Sequence, residues 1–197
     1  MSELIQRPFW YLRHGETDWN YQGFSQGRTD VPLNTTGLIQ ATRAGEIFAK
    51  LFENNQRPFD RIITSPLSRA LVTAQYTQAA ILNSGGPNLP LTIDPDLQEV
   101  SFGVQEGQPM GEWYDPWIAG KFTPEGAESF DDLKNRSISA LNKELIKGGT
   151  PLFVAHGGLF RGIRAAMNLA VNVRLPNASP TYLSFHAGEW SVQNRVA

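Results

Sequence analysis

Apolar and polar positions along this chain fall into short blocks of two kinds. Phe9 to Arg13, Arg61 to Thr64, Leu91 to Asp94 and Leu152 to Ala155 are brief runs rich in apolar and β-forming residues. Runs of this length suit strands, and the most apolar of them suit strands buried on both faces. Between them the apolar spacing lengthens to a helical period. From Thr36 to Phe52, Leu38, Ala41, Phe48 and Leu51 share one face. Ser65-Pro66 predicts a helix start, serine at the cap and proline in the first turn. That helix runs from Leu67 to about Leu82, where Asn83-Ser84-Gly85-Gly86-Pro87 breaks it. Ser129 predicts another cap, with Asp132 three residues on and Leu133, Leu141 and Leu145 along the inner face. Leu159, Ile163, Met167 and Ala170 predict a helix after the Leu152 run. Thr181 to Phe185 and Glu189 to Gln193, joined through Ala187-Gly188, read as a hairpin.

Alternation of this kind predicts an α/β fold, a three-layer α/β/α sandwich with a mainly parallel central sheet. The stretch 102–126 fits neither period. It is rich in glycine, proline and aromatics, and is expected as a lid-like insertion over the mouth of a site, with one short helix near Trp113. At 197 residues, 41% hydrophobic and 18% charged, residues 1–197 fit one globular domain with a sizeable core.

Seventeen basic against nineteen acidic residues give a net charge of -2. No nucleic-acid partner and no acidic membrane surface is expected, so cations facing an anionic ligand must be gathered locally. The chain has no cysteine, which excludes disulfides, zinc thiolates and thiol-based phosphatase chemistry. The amino-terminal residues lack the pattern of a signal peptide, and no apolar run approaches membrane-spanning length. A cytoplasmic location is the default expectation. The oligomeric state stays open, a homodimer included.

Candidate chemistry starts from three histidines. His14 and His156 each end a predicted strand beside glycine, where open α/β sheets bind ligands. Arg13 beside His14 suggests an anionic ligand, most simply a phosphate. Without cysteine, phosphoryl transfer calls for histidine, serine, aspartate or a metal-bound water as nucleophile. Positive surroundings disfavour protonation of His14 and leave a ring nitrogen free to attack. Gly15 lets backbone pass close to a ligand, and Thr17 and Asn20 carry donors for phosphate oxygens. Taken alone, Arg13-His14 equally suits the plain end of a strand.

RHGETDWN, residues 13–20, resembles the signature of the histidine phosphatase superfamily, phosphoglycerate mutase-like branch. Four further stretches resemble the family's pattern in order: QGRTDVPLNTTG (26–37), SPLSRALVTA (65–74), LQEVSFGVQEG (97–107) and VAHGG (154–158). The resemblance implies that His14 is the nucleophile and forms a phosphohistidine. It implies that Arg13, Arg69 and His156 grip the phosphate, with Thr17, Asn20, Gln26, Gly27 and Gly157 around it. Glu99 would be the general acid, and then the base that activates water. No metal or other cofactor is implied, and the partner is a small-molecule phosphate ester. Glu106 is a weaker candidate for the acid and reads as a structural hydrogen-bond partner, while Glu16 helps to shape the site. Glu128, Ser129 and Arg136 resemble the family's G-E-S…R stretch, with Ala127 where glycine is usual, and receive no catalytic role. His186 lies outside every motif and reads as structural.

The family contains phosphatases and mutases. Between Gln108 and Glu125 the only basic residue is Lys121, amid Trp113, Tyr114, Trp117 and Phe122. That balance suits a less charged or partly apolar substrate with water admitted, hence a phosphatase, with a phosphoglycerate mutase as the alternative. Asp94-Pro95-Asp96 superficially resembles the D-x-D of magnesium-dependent aspartate phosphatases, although Gln98 breaks that pattern. A non-catalytic phosphate sensor is the remaining alternative.

Overall fold

In the computed structural model, which describes residues 3–53 and 58–194, β1 (Phe9–Arg13) occupies the interior of a sheet. It is flanked by β4 (Pro151–Ala155) and β5 (Thr181–His186), and the full order is β3-β2-β4-β1-β5-β6, with β2 at Arg61–Thr64, β3 at Leu91–Ile93 and β6 at Glu189–Asn194. The first four strands of that order run parallel, and β5 and β6 add an antiparallel edge. Alternation along each strand sorts the core into two halves. Phe9, Tyr11, Phe153 and Ala155 belong to one apolar cluster; Trp10, Leu12, Leu152 and Val154 belong to the other.

The first cluster is closed by Leu133 and Leu141 of α5 (Phe130–Leu145) and by Leu159, Phe160 and Ile163 of α6 (Gly157–Ala166). Ala44 and Phe48 of α2 (Thr35–Glu53), with Ala74 and Ile81 of α3 (Ser68–Asn83), close the second. Each large apolar side chain buried this way contributes about 1.5–3 kcal/mol relative to exposure. Two helical layers on one sheet make the expected α/β/α sandwich. Among the described residues, no helix is long and apolar enough to cross a membrane. The expected domain span of 1–197 includes residues 1–2, 54–57 and 195–197, which lie outside the described residues.

Local differences from the sequence reading have physical causes. The helix expected to be capped by Ser65 begins at Ser68, with Leu67 at a cap that has no side-chain bond; the Ser65 hydroxyl is engaged elsewhere. A short helix that the periodicity did not predict, α1 (Asp18–Gln22), follows Thr17, which caps it in a box with Asn20. After His156 the helix stops at Ala166 rather than Ala170, and Asn168 turns with φ 56°. Asp94 leaves β3 and caps a 3-10 turn, Pro95–Leu97, by accepting the Asp96 N–H.

The 102–126 excursion holds α4 (Tyr114–Ile118), next to Trp113 as expected. It is a packed wall. Phe102 bridges to Ala127 and Phe24 to Pro109. Ser25 N–H donates to the Gln108 carbonyl at 2.9 Å, and Gly107 N–H donates to the Ser25 carbonyl at 2.8 Å. Trp117 is fully buried among the rings of Phe102, Tyr114 and Phe130.

Candidate active site

Parallel pairing of β1 with β4 sets Arg13 opposite Ala155, so the next residues, His14 and His156, leave adjacent strand ends together. Their ring centroids lie 5.2 Å apart and both side chains are buried. His14 Nδ1 is 2.6 Å from the carbonyl of Gly15. A carbonyl only accepts, so Nδ1 carries the proton and Nε2 keeps its lone pair. Burial, then the Arg69 and Arg13 charges, hold the His14 pKa well below the ordinary 6.5. Burial comes first for His156 as well, followed by Arg69 and His14, and its pKa is also well below 6.5.

His156 Nε2 lies 2.8 Å from Ser65 Oγ, which accepts the Leu67 N–H at 3.3 Å. One hydrogen bond thus joins the imidazole to the serine hydroxyl, its donor set by the His156 tautomer. Among the described residues, the buried His156 Nδ1, Arg13 Nε and Arg69 Nε have no hydrogen-bond partner. A buried polar group left unpaired costs about 1–3 kcal/mol. Two of these are guanidinium nitrogens, Arg13 at the end of β1 and Arg69 at the start of α3, and unpaired donors of that kind suit an anion.

Arg13 donates to the Leu175 carbonyl at 2.7 Å, and Arg69, in the first turn of α3, donates to the carbonyls of Gly27 (2.7 Å) and Thr29 (2.9 Å). Burial brings the Arg13 pKa down to about 10, with Glu99 opposing the shift and Arg174 and Arg161 reinforcing it. Burial also lowers that of Arg69. Both groups stay cationic at neutral pH.

Glu99 sits against the first turn of α6. Its Oε2 accepts the Gly158 N–H at 2.8 Å, and its Oε1 accepts those of Leu159 at 2.8 Å and Val100 at 3.0 Å. A helix start offers such unpaired donors, and Oε2, with one donor, retains a lone pair for a proton. Arg136 of α5 holds the segment behind it. Its guanidinium forks onto Glu128 at 2.8 and 2.7 Å and donates to the Asp96 and Gln98 carbonyls, each at 2.8 Å. Sequence reasoning gave Glu128 and Arg136 no catalytic role; they hold the segment that carries Glu99. The spacing of an acid and an arginine within one motif was the available signal.

A cavity of about 280 Å³ opens here, and Arg13, His14, Asn20, Gln26, Arg69 and Glu99 all line it. Gly27 and Gly157 line it too. At Gly157 a Cβ would lie 3.2 Å from Arg13 Nε, so glycine lets the guanidinium come close. Thr17, like the fully buried His156, does not line the cavity. Its hydroxyl accepts the Asn20 N–H at 3.1 Å and donates to Gln26 Oε1 at 2.9 Å, so the expected phosphate donor is a helix cap that orients Gln26. Gly15 approaches the Gly37 backbone rather than a ligand. Glu106 accepts N–H groups from Arg28, Thr29 and Phe102 and pins the loop that carries Gly27. Glu16 bonds Asn34. Asp94 and Asp96 pair with Lys143 and are not among the residues that line the cavity. His186 is exposed on the hairpin.

Ser65, Arg161 and Arg174 were missed. The two arginines line the cavity and correct the expectation of a weakly charged pocket.

Residues 9–196 match the model of the histidine phosphatase superfamily, branch 1. The chain is 31% identical over 189 residues to the uncharacterised phosphatase PhoE of Bacillus subtilis (strain 168), covering 93% of this chain and 91% of the relative. It is 31% identical over 197 residues to a metal-independent phosphoserine phosphatase of Arabidopsis thaliana, covering 93% and 78%. A mycobacterial glucosyl-3-phosphoglycerate phosphatase solved with VO3 superposes with a TM-score of 0.78 at 29% identity, covering 95% and 98%.

Proposed function

This chain belongs to the histidine phosphatase superfamily, and on that premise we propose that it hydrolyses phosphate monoesters of small metabolites through a phosphohistidine on His14. The observation that carries this reading is the fixed His14 tautomer, with Nδ1–H on the Gly15 carbonyl and Nε2 bare. Nε2 attacks phosphorus and the ester P–O bond breaks. Arg13, Arg69 and His156 offset the charge on the transferring group, and the protonated Glu99 carboxyl gives its proton to the leaving oxygen. Glu99 then takes a proton from water, whose oxygen attacks phosphorus, and the N–P bond breaks to release inorganic phosphate and neutral His14. Asn20 and Gln26 orient the phosphate.

No step calls for a metal, and one relative is named metal-independent. Relatives named as phosphoserine and glucosyl-3-phosphoglycerate phosphatases support small phosphate esters as the substrate class. Hydrolysis is favoured over mutase chemistry by relatives named as phosphatases, among them the phosphoserine and glucosyl-3-phosphoglycerate phosphatases. We read residues 1–197 as one domain acting in the cytoplasm.

The test is hydrolysis of p-nitrophenyl phosphate and a panel of phosphate esters in EDTA, beside a 3-phosphoglycerate isomerisation assay. Turnover should persist on chelation, vanish in His14→Ala and leave an acid-labile, alkali-stable phosphoenzyme. A near-normal rate in His14→Ala, or loss of activity in EDTA, overturns the reading.

A further inference from the structure

Asn177 belongs to the loop between α6 and β5 and is half-buried. Its Nδ2 donates to the His14 carbonyl at 3.0 Å and to Asn20 Oδ1 at 3.2 Å. One amide thus touches the backbone of His14 and the side chain of a residue that lines the cavity. The rest of the loop closes on the same strand end. The Leu175 carbonyl accepts from Arg13, and the Ala178 N–H reaches the Arg13 carbonyl at 2.9 Å and the His14 carbonyl at 3.3 Å. Ala178 takes φ 47°, left-handed backbone that an alanine keeps only where its surroundings hold it.

These contacts fix the direction of two amides in turn. A carbonyl oxygen only accepts, so the His14 carbonyl selects the Nδ2 end of Asn177. That Nδ2 then faces Asn20, where only an oxygen can accept from it. The Thr17 N–H donates to the same Oδ1 at 3.3 Å, and both donors would oppose an Asn20 amide turned the other way. Asn20 Nδ2, with its two hydrogens, is left for the cavity. An anion there meets donors; with the amide reversed it would meet a carbonyl dipole of the wrong sign.

We propose that Asn177 is a positioning residue for the anion site, and that its amide locks Asn20 with Nδ2 toward the phosphate oxygens. The proposal rests on the phosphatase reading for the identity of the anion. Asn177 is not among the residues that line the cavity, so it acts through Asn20. Its loss should weaken binding more than chemistry, because the Ala178 N–H keeps its hold on the His14 carbonyl and the Gly15 carbonyl keeps the imidazole.

Asn177→Asp tests the lock, since it keeps the shape and offers only acceptors. Its carboxylate takes the Asn20 Nδ2 hydrogens and turns Oδ1 toward the anion, whereas Asn177→Ala removes the lock without reversing it. Titration calorimetry of the full chain with inorganic phosphate should show affinity lowered about tenfold by Asn177→Asp and about threefold by Asn177→Ala, the scale of one hydrogen bond to an anion. In an Asn20→Ala background, Asn177→Asp should cost about twofold at most, because the group it acts through is gone. With p-nitrophenyl phosphate, KM should rise in the same order while kcat changes about twofold at most. Parent-like phosphate affinity in both variants overturns the proposal. So does an equal loss from Asn177→Asp with and without the Asn20 amide, which marks plain charge repulsion or damage to the loop. A fall confined to kcat overturns it too. Calorimetry needs no turnover, so the His14-dependent hydrolysis of p-nitrophenyl phosphate tests the phosphatase reading by itself.

Discussion

Ser65 Oγ lies between the Leu67 N–H at 3.3 Å and His156 Nε2 at 2.8 Å, so one hydroxyl ties the end of β2 to the His156 imidazole. Ser65→Ala should lower kcat/KM about five- to tenfold, the scale of one buried hydrogen bond, with Ser65→Thr restoring most of it. Nitrogen NMR of His156 gives the signature. The proton should reside on one ring nitrogen in the parent and be shared between the two nitrogens in the alanine variant. An unchanged tautomer would show that the serine only packs.

Both histidines stay neutral well below pH 6.5. For activity, the fall in kcat/KM caused by imidazole protonation should lie well below that value. For stability, the unfolded chain binds protons near 6.5 and the folded one does not. The contribution is therefore complete above pH 6.5 and lost as pH falls toward the folded values. The limiting slope is about 1.4 kcal/mol per pH unit for each histidine. Urea melts at pH 7, 6 and 5 measure it, and a flat profile contradicts buried neutral imidazoles.

Arg136 touches no substrate. It acts through the Asp96 and Gln98 carbonyls, which set where Glu99 stands. Arg136→Lys keeps the charge but loses the fork onto Glu128. Its effect should depend on the leaving group. Alkyl phosphates, which need a proton on departure, should slow about tenfold, while p-nitrophenyl phosphate, which leaves as a stable anion, should slow far less. Equal slowing of both would mean that the arginine supports the fold alone.

Gly158 has a steric role. A Cβ there would stand 2.6 Å from Glu99 Oε1 and 2.9 Å from Val100 Cγ1. Gly158→Ala should therefore displace the carboxylate and show the same leaving-group dependence as Arg136→Lys. The stability loss should be about 1–3 kcal/mol, as for an overpacked core. Thermal melts beside the leaving-group series check both parts.

Some of this was legible in the sequence for a plain reason. β1 and β4 are covered on both faces, so their apolar runs are continuous, and the residues after them are the two histidines. Local signals failed where tertiary contacts took over the same atoms. Ser65 looked like a cap, but His156, ninety-one positions away, holds its hydroxyl. Thr17 looked like a ligand donor, yet α1 needed a cap and Gln26 a partner. Arg161 and Arg174 carry no local mark at all. Only the folding of α6 and its following loop across the strand ends brings them beside Arg13.

Helix α6 has ten residues, and the parts it holds share one frame. His156 is its cap, Gly158 and Leu159 hold Glu99, and Arg161 lies on its second turn. A shift of this helix therefore moves His156, Glu99 and Arg161 by the same vector. Their mutual spacing survives, while their distance to His14 on the neighbouring strand does not. The seat of the helix is set at Gly162, where a Cβ would stand 2.7 Å from Ser137 Oγ. The spacing between His14 and Glu99 thus depends on a residue with no side chain, on the helix face packed against α5.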